Sequence, residues 1–292
     1  MIDLSYLKDW AWETEYLVQV SAFIPDINAI AIHWKSETLF RRWFPRLRSK
    51  YVRDKLIIPE IVSEETAVII LSDELYRVPK EIRALAVFKQ YVSNEDTTSI
   101  PFPLGVRRGF PFLPPKPIAG RSIDVGFVGR TYPHRKTFLG ELSNHDRLRP
   151  FRLRLTCETR LSISEYSHFL NDIKISICLG GNSSPETFRY FESTKLGCIM
   201  VTPRMPANAL YASHPGIQID EIDDVDQVAA VLESVLQAPE THEALQERSL
   251  SAWETQYSPQ AVAAMIKRTV ESKKRNNPGS VGTFGAGAKL MW

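Results

Sequence analysis

The stretch KISICLGGNSSPETFRYFESTKLGCIMVT, residues 174–202, contains an apolar run, a segment that ends at Gly197, and a second apolar run, CIMVT. The two apolar runs have the length of buried strands, and the segment between them carries apolar residues at helical spacing. Strand, helix and strand joined by short connections form the repeating unit of a parallel sheet. This stretch therefore predicts an α/β fold.

The same alternation extends along the chain on both sides of this stretch, so we predict further strands and helices of the same kind. The predicted strands are residues 28–33, 66–71, 85–92, 124–129 and 151–157, and the predicted helices are residues 134–144, 162–172, 224–237, 240–257 and 258–274.

A proline-rich segment divides the chain into two α/β halves. Residues 100–120 contain six prolines and three glycines, which are incompatible with a long regular element. We therefore predict two Rossmann-like, doubly wound domains that face a cleft, with helices at the C-terminal end. The predicted units are a first domain at residues 1–110, a linker at 111–122, a second domain at 123–275 and a flexible tail at 276–292.

Composition and charge narrow the functional classes. The chain has 292 residues and a net charge of only +2, so its overall balance does not indicate nucleic acid as a partner. Its three cysteines have no zinc-ligand spacing, and there is neither a basic leader before an apolar run nor a stretch of 18 apolar residues. These features predict a cytoplasmic protein.

The segment before and within the predicted helix of the opening stretch has the pattern of a phosphate site. Asn182, Ser183 and Ser184 are N-cap residue types, and the glycines before them allow a ligand to approach backbone N–H groups. Arg189 would neutralise a diphosphate, and Glu192 would accept hydrogen bonds from ribose hydroxyls. The alternative is that Arg189 and Glu192 form an ordinary ion pair on a solvated helix.

The run RYFESTKLGCI, residues 189–199, resembles the nucleotide-sugar site of exostosin-like glycosyltransferases of the two-Rossmann (GT-B) kind. The family motif has an arginine, an acidic residue three positions later, and then G-C-I-P-V, and Met200 replaces its proline. The resemblance extends loosely over residues 66–205. It implies a GT-B-like fold and a glycosyltransferase that moves a sugar from a nucleotide-diphosphate sugar to a glycan or lipid-linked acceptor in surface-polysaccharide or glycoconjugate synthesis.

The strand that opens the second half ends at Gly129 and is followed by basic residues. In enzymes of this kind that strand ends near the donor phosphates, so the resemblance implies that Arg130 and Lys136, with Arg135, contact the donor. The alternative is that these cations lie on a solvated helix start. The resemblance also implies that no metal is essential and that no cofactor is used besides the nucleotide-sugar donor.

Two acidic residues follow a predicted strand of the first half. Asp73 and Glu74 follow the apolar run at residues 66–71 after one intervening residue, Ser72, near the strand end where the ligands of a parallel sheet gather. Either carboxylate would serve as the general base that an attacking acceptor hydroxyl requires, or it would cap the next helix. His33, at the end of the strand at residues 28–33, is the next candidate base.

Residues 41–55 interleave arginine and lysine with aromatic residues. This pattern predicts peripheral contact with the inner face of a membrane, where lipid-linked acceptors are found, or else an ordinary solvated helix. We expect no nucleic acid partner. The functional alternatives to a transferase are a non-catalytic glycan-binding or scaffold domain of a synthase and a nucleotide-sugar epimerase.

Overall fold

Two parallel sheets organise the computed structural model of this chain, which confirms the predicted fold class of two Rossmann-like units. The structure describes residues 1–7, 11–33, 35–36, 54–55, 59, 62–72, 82–129, 133–157, 161–181, 184–220 and 222–276. Within these ranges no helix is both long enough and apolar enough to span a bilayer.

The first sheet has five parallel strands that lie side by side in chain order. They are β1 (Ile2–Asp3), β2 (Ala29–His33), β5 (Ala67–Leu71), β6 (Ala86–Lys89) and β7 (Ile100–Pro101), and helix α1 (Thr14–Ala22) joins the first two. Every residue of β2 and β5 is buried, because both faces of the sheet are covered. A short antiparallel pair, β3 (Lys35–Ser36) and β4 (Asp54–Lys55), follows β2 in the chain.

The second sheet has the spatial order β9-β8-β10-β11-β12, a doubly wound arrangement in which the winding direction reverses between β8 and β10. Its strands are β8 (Ile123–Val128), β9 (Leu153–Thr156), β10 (Ile173–Ile177), β11 (Ile199–Pro203) and β12 (Ile217–Ile219). Helices α2 (Pro133–Ser143) and α5 (Val225–Leu236) pack into one core, and α3 (Ile163–Asp172) and α4 (Phe188–Lys195) contribute to others. Crevices at the carboxyl ends of strands beside such a reversal are where α/β sheets bind ligands.

The N-cap residue types at positions 182–184 predict that the helix starts directly after Ser184, but α4 begins at Phe188 with Thr187 as its N-cap, so this prediction is wrong. The residues before it form an irregular turn in which the Gly181 N–H donates to the Ser184 carbonyl at 2.6 Å. The Glu186 side chain is buried and accepts a hydrogen bond from the Tyr211 hydroxyl at 2.7 Å. These tertiary contacts hold residues 184–187 outside the helix, and Arg189 therefore lies in its first turn.

The C-terminal helices connect the two halves. After α6 (His242–Ala252) and a π-helical turn, helix α7 (Pro259–Asn276) returns to pack against α1 and β6 of the first half. The Tyr16 hydroxyl donates to the Tyr257 carbonyl at 2.6 Å, across the same contact. One apolar cluster contains residues of both halves, so the two sheets share a continuous core.

Arg121, at the end of the segment between the sheets, is almost fully buried. Its guanidinium donates to the carbonyls of Lys116, Ile173 and Leu196, and one nitrogen lies 3.4 Å from the Cys198 sulfur. A charged donor that satisfies several buried carbonyls contributes more than a neutral hydrogen bond. Arg121 therefore fastens the connecting segment to β10 and to the end of α4.

We expect Arg121→Met to lower the free energy of unfolding by about 3 kcal/mol, because it leaves buried carbonyls without donors while keeping an apolar stem. Arg149→Met is the control, since the Arg149 side chain is 75% exposed and its ion pair within the described part of the chain is with the exposed Asp146. It should change stability by less than about 0.5 kcal/mol. Equal urea midpoints for the two variants would show that the Arg121 network adds no stability.

Candidate functional site

A cavity of about 460 Å³ opens at the carboxyl ends of β10, β11 and β12. Its walls come from the turn after β10, the residues directly after β11 and β12, and the start of α2. The lining residues are Arg135, Phe138, Leu179, Gly180, Gly181, Ser184, Pro185, Pro203, Arg204, Asp220, Ile222 and Asp223. Its size and its place at the edge of a doubly wound sheet are those of a small-molecule site.

Arg135 is the buried cation of this cavity. It lies in the first turn of α2, three and four residues before the core residues Phe138 and Leu139, so helical spacing places it on the inward face. Its guanidinium donates to the Gly180 carbonyl and lies 5.9 Å from the centre of the Phe127 ring. The cation is thereby held at the point between β8 and β10 where the winding of the sheet reverses.

Arg189 approaches the same strand end from α4. Its guanidinium donates to the Val128 carbonyl, lies within 3.3 Å of the Tyr166 hydroxyl, and stacks 3.9 Å from the centre of the Phe127 ring. A Cβ atom at Gly129 would lie 2.9 Å from an Arg189 nitrogen, so glycine is required for this approach. Two guanidinium groups thus converge on the carboxyl end of β8.

The sequence suggested an ion pair between Arg189 and Glu192 as an alternative, but in the structure Glu192 pairs with Arg107 instead. Its side chain has no exposed surface, and both carboxylate oxygens bind the Arg107 guanidinium, the shorter contact being 2.7 Å. Burial alone would lower the pKa of Arg107, but the Glu192 charge raises it above its ordinary value. A ribose hydroxyl would reach the Glu192 carboxylate only if this ion pair opened.

Some of the remaining predicted site residues lie in the described part of the chain, and the others lie outside it. Ser184 is buried and lines the cavity, whereas Lys136 is exposed one residue beyond Arg135. The predictions for Asp73, Glu74, Arg130, Asn182 and Ser183 lie outside the described residues, as do those for residues 277–292 and for the basic segment except residues 54–55.

Sequence reasoning missed the charged residues on the far wall of the cavity. Arg204 directly follows β11, Asp220 directly follows β12, and the two form an ion pair at 2.6 Å. Asp223 lines the cavity beyond them, without an ion pair among the described residues. Their positions immediately after predicted or short apolar runs are the signal that would have identified them.

An aromatic and histidine cluster packs beside the cavity. Tyr211 contacts Tyr190 and donates to Glu186, and burial raises its pKa well above the usual range. The ring of His214 lies 5.2 Å from that of Tyr190 and accepts the Gly216 N–H at 3.0 Å. Burial lowers the pKa of His214 to about 4. The imidazole is therefore neutral at pH 7, and this cluster shapes the turn that carries Ser184 and Glu186.

Comparison with known proteins finds likeness in backbone arrangement alone. No protein-family model and no curated protein matches the chain. An alpha-glucosyltransferase solved with UDP and a 13-mer DNA containing a HMU base matches 89% of this chain and 84% of its own, with 9% identity and a TM-score of 0.47. A glycosyltransferase from Rickettsia africae matches 90% and 81%, with 11% identity and a TM-score of 0.45.

A spinosyn rhamnosyltransferase complexed with thymidine diphosphate matches 86% of this chain and 70% of its own, with 15% identity and a TM-score of 0.35. None of these three scores reaches 0.5, and each identity is below one fifth. The assignment of a function therefore depends on the cavity and its residues.

His214 predicts a loss of stability in acid. An unfolded histidine has a pKa near 6.5 and the folded one about 4, so between these values the unfolded chain binds a proton that the folded chain does not. We expect this group to reduce the free energy of unfolding by about 2 kcal/mol between pH 7 and pH 4.5. Urea unfolding of the parent and of His214→Gln measures it as the difference in pH dependence, and parallel pH curves for the two proteins would exclude His214 as the cause.

Proposed function

We propose that this protein is a glycosyltransferase that transfers a sugar from a nucleoside-diphosphate sugar to a glycan or lipid-linked acceptor. The observation that carries the proposal is the cavity of about 460 Å³ at the carboxyl edge of the second sheet, with the buried Arg135 at the reversal point. A cavity of this volume accommodates a nucleotide-sized ligand, and its buried cation favours an anionic one. We propose that the enzyme uses no cofactor besides the nucleotide-sugar donor.

The diphosphate would bind between the two arginines at the end of β8. Arg135 and Arg189 are each oriented by a strand-end carbonyl and by the Phe127 ring, so neither must be ordered when an anion arrives. Arg130 and Lys136 are the further sequence-based candidates for this role. Cations held in place beside the leaving diphosphate stabilise the charge that develops as the sugar departs.

The ribose has two candidate partners. The sequence motif nominates Glu192, which in this structure is enclosed with Arg107. Asp223 lines the cavity and is exposed, so its carboxylate is accessible to ribose hydroxyls without rearrangement. Ser184 lies in the turn after β10, and Asn182 and Ser183, which precede it in the chain, are sequence-based candidates for contact with the donor.

The acceptor would enter from the first half, where the carboxyl ends of β2, β5 and β6 meet. Asp73 and Glu74 follow β5 in the chain and are the sequence-based candidates for the base. The proposal also includes peripheral contact of residues 41–55 with the inner face of a membrane, where a lipid-linked acceptor is anchored, and a cytoplasmic location.

The class of activity is tested with donor alone, using water as acceptor. We expect slow release of free nucleoside diphosphate from at least one of UDP-glucose, GDP-mannose and dTDP-rhamnose, and we expect the same rate in EDTA because arginines balance the leaving charge. A new sugar nucleotide would indicate an epimerase, and binding without turnover would indicate a scaffold. Loss of release in EDTA, restored by Mg²⁺ or Mn²⁺, would contradict metal independence.

The phosphate site is tested by calorimetry with UDP, GDP and dTDP. Arg189→Ala and Arg135→Ala should each weaken binding by roughly 1.5–3 kcal/mol, the range for a charge-assisted hydrogen bond. Arg149→Ala, at the exposed side chain distant from the cavity lining, is the matched control. If a folded Arg189→Ala or Arg135→Ala variant binds these nucleotides like the control, that arginine does not contact the diphosphate.

A further inference from the structure

Glu13 is a buried carboxyl group at the carboxyl edge of the first sheet, directly before α1. Glu13 is only 3% exposed. One carboxylate oxygen accepts a hydrogen bond from the Ser72 hydroxyl at 3.2 Å, and the Gln90 side chain is a second polar neighbour. Ser72 and Gln90 lie directly after β5 and β6, so the carboxyl group of Glu13 lies over the ends of two adjacent strands.

The Ser72 hydroxyl connects this buried carboxyl group to the surface. Ser72 itself is exposed, and its backbone N–H donates to the Gln90 side-chain oxygen at 2.9 Å. The Gln90 amide in turn is oriented toward the Pro103 carbonyl at 3.4 Å. The hydroxyl of an exposed residue therefore already donates to the Glu13 carboxylate, in the position that an acceptor hydroxyl would take if it displaced Ser72.

Trp12, the residue before Glu13, contacts the second half of the chain, where the donor is proposed to bind. Trp12 is 41% exposed, and its ring stacks on that of Phe188, the first residue of α4, at 6.1 Å. The guanidinium of Arg107 lies 5.5 Å from the same indole ring. Glu13 is thus directly adjacent in the chain to a residue that contacts the helix whose first turn carries Arg189.

We infer that Glu13 is the general base of the proposed transfer. This inference rests on the glycosyltransferase function proposed above. In the step it describes, the acceptor O–H transfers its proton to a Glu13 oxygen while the acceptor oxygen bonds to the anomeric carbon. The bond from that carbon to the β-phosphate oxygen breaks, its electron pair leaves with the nucleoside diphosphate, and Glu13 later releases the proton to water.

The surroundings of Glu13 suit this role. Burial raises the pKa of its carboxyl group, although hydrogen bonds from Ser72, Gln90 and nearby backbone oppose the shift. Among the described residues, the titratable side chains on the adjoining elements include Glu15 and Tyr16 in α1, His33 at the end of β2, Lys89 at the end of β6, and Arg107 in the connecting segment. Asp73 and Glu74, outside the described residues, follow Ser72. A base with a raised pKa is a stronger proton acceptor than an ordinary carboxylate.

The test measures three properties of Glu13→Gln: UDP affinity by calorimetry, melting temperature, and release of nucleoside diphosphate from the donor that the parent hydrolyses. We expect unchanged UDP affinity and a loss of about 10²–10⁴-fold in release rate. Glu13→Asp should recover part of that rate. Glu15→Gln is the matched control, because Glu15 lies two residues away, is half-exposed and, among the described residues, accepts from the Gly109 N–H and lies near Arg108.

Asp73→Asn and Glu74→Gln are measured in parallel, and each should lose less rate than Glu13→Gln.

The parent rate should fall as pH drops through the raised Glu13 pKa, and Glu13→Gln should lack that dependence. If Glu13→Gln does not fold, Glu13→Asp must shift this acidic limb, and an unshifted limb overturns the assignment. A folded Glu13→Gln variant that keeps the parent rate also overturns the assignment. A variant whose UDP affinity falls as much as its rate overturns it too. No release by the parent from any donor would instead overturn the proposed function, and this inference with it.

Discussion

The arrangement of the two halves depends on one buried charge, the carboxylate of Glu192. A carboxylate without solvent exposure is costly unless a cation with matching hydrogen bonds accompanies it, and Arg107 supplies both. Arg107 also stacks on Tyr166 of α3 at 4.6 Å and lies near Trp12, which precedes α1. One guanidinium from the segment between the sheets therefore joins both halves, and it fixes where α4 begins relative to the first sheet.

At the carboxyl edge of the second sheet, two arginine side chains are held by neutral groups. Arg135 and Arg189 are held by the carbonyls of Gly180 and Val128, which are neutral acceptors, and by the face of Phe127. Carbonyl groups and an aromatic ring orient a guanidinium without cancelling its charge, whereas the Glu192 carboxylate neutralises Arg107. The chain thus contains one arginine that is paired with a buried carboxylate and two arginines whose described contacts are with carbonyl groups and an aromatic ring.

Much of the fold could be predicted from the sequence because buried parallel strands are continuous apolar runs, and the predicted strands agree with β2, β5, β6 and β8 to β11 to within a few residues. The start of α4 could not, because the buried contact of Glu186 with Tyr211 overrides local N-cap signals. The partner of Glu192 lies 85 residues away, which no local pattern encodes. Arg135 could have been chosen over Lys136 from its spacing to Phe138 and Leu139, which marks the inward face of α2.

The carboxyl edge of the first sheet contains strained backbone and buried charged groups, which lower stability and which the fold does not require. Ser72 and Tyr91, directly after β5 and shortly after β6, have positive φ angles of 59° and 56°, which cost of order 1 kcal/mol or more each for non-glycine residues. Lys89 is fully buried with its ammonium group on the carbonyls of Gln90 and Tyr91, and Glu13 is buried beside them. Selection for stability would replace such groups with apolar ones. Their concentration at one sheet edge is the pattern expected where a chain retains strain and buried charge for chemistry.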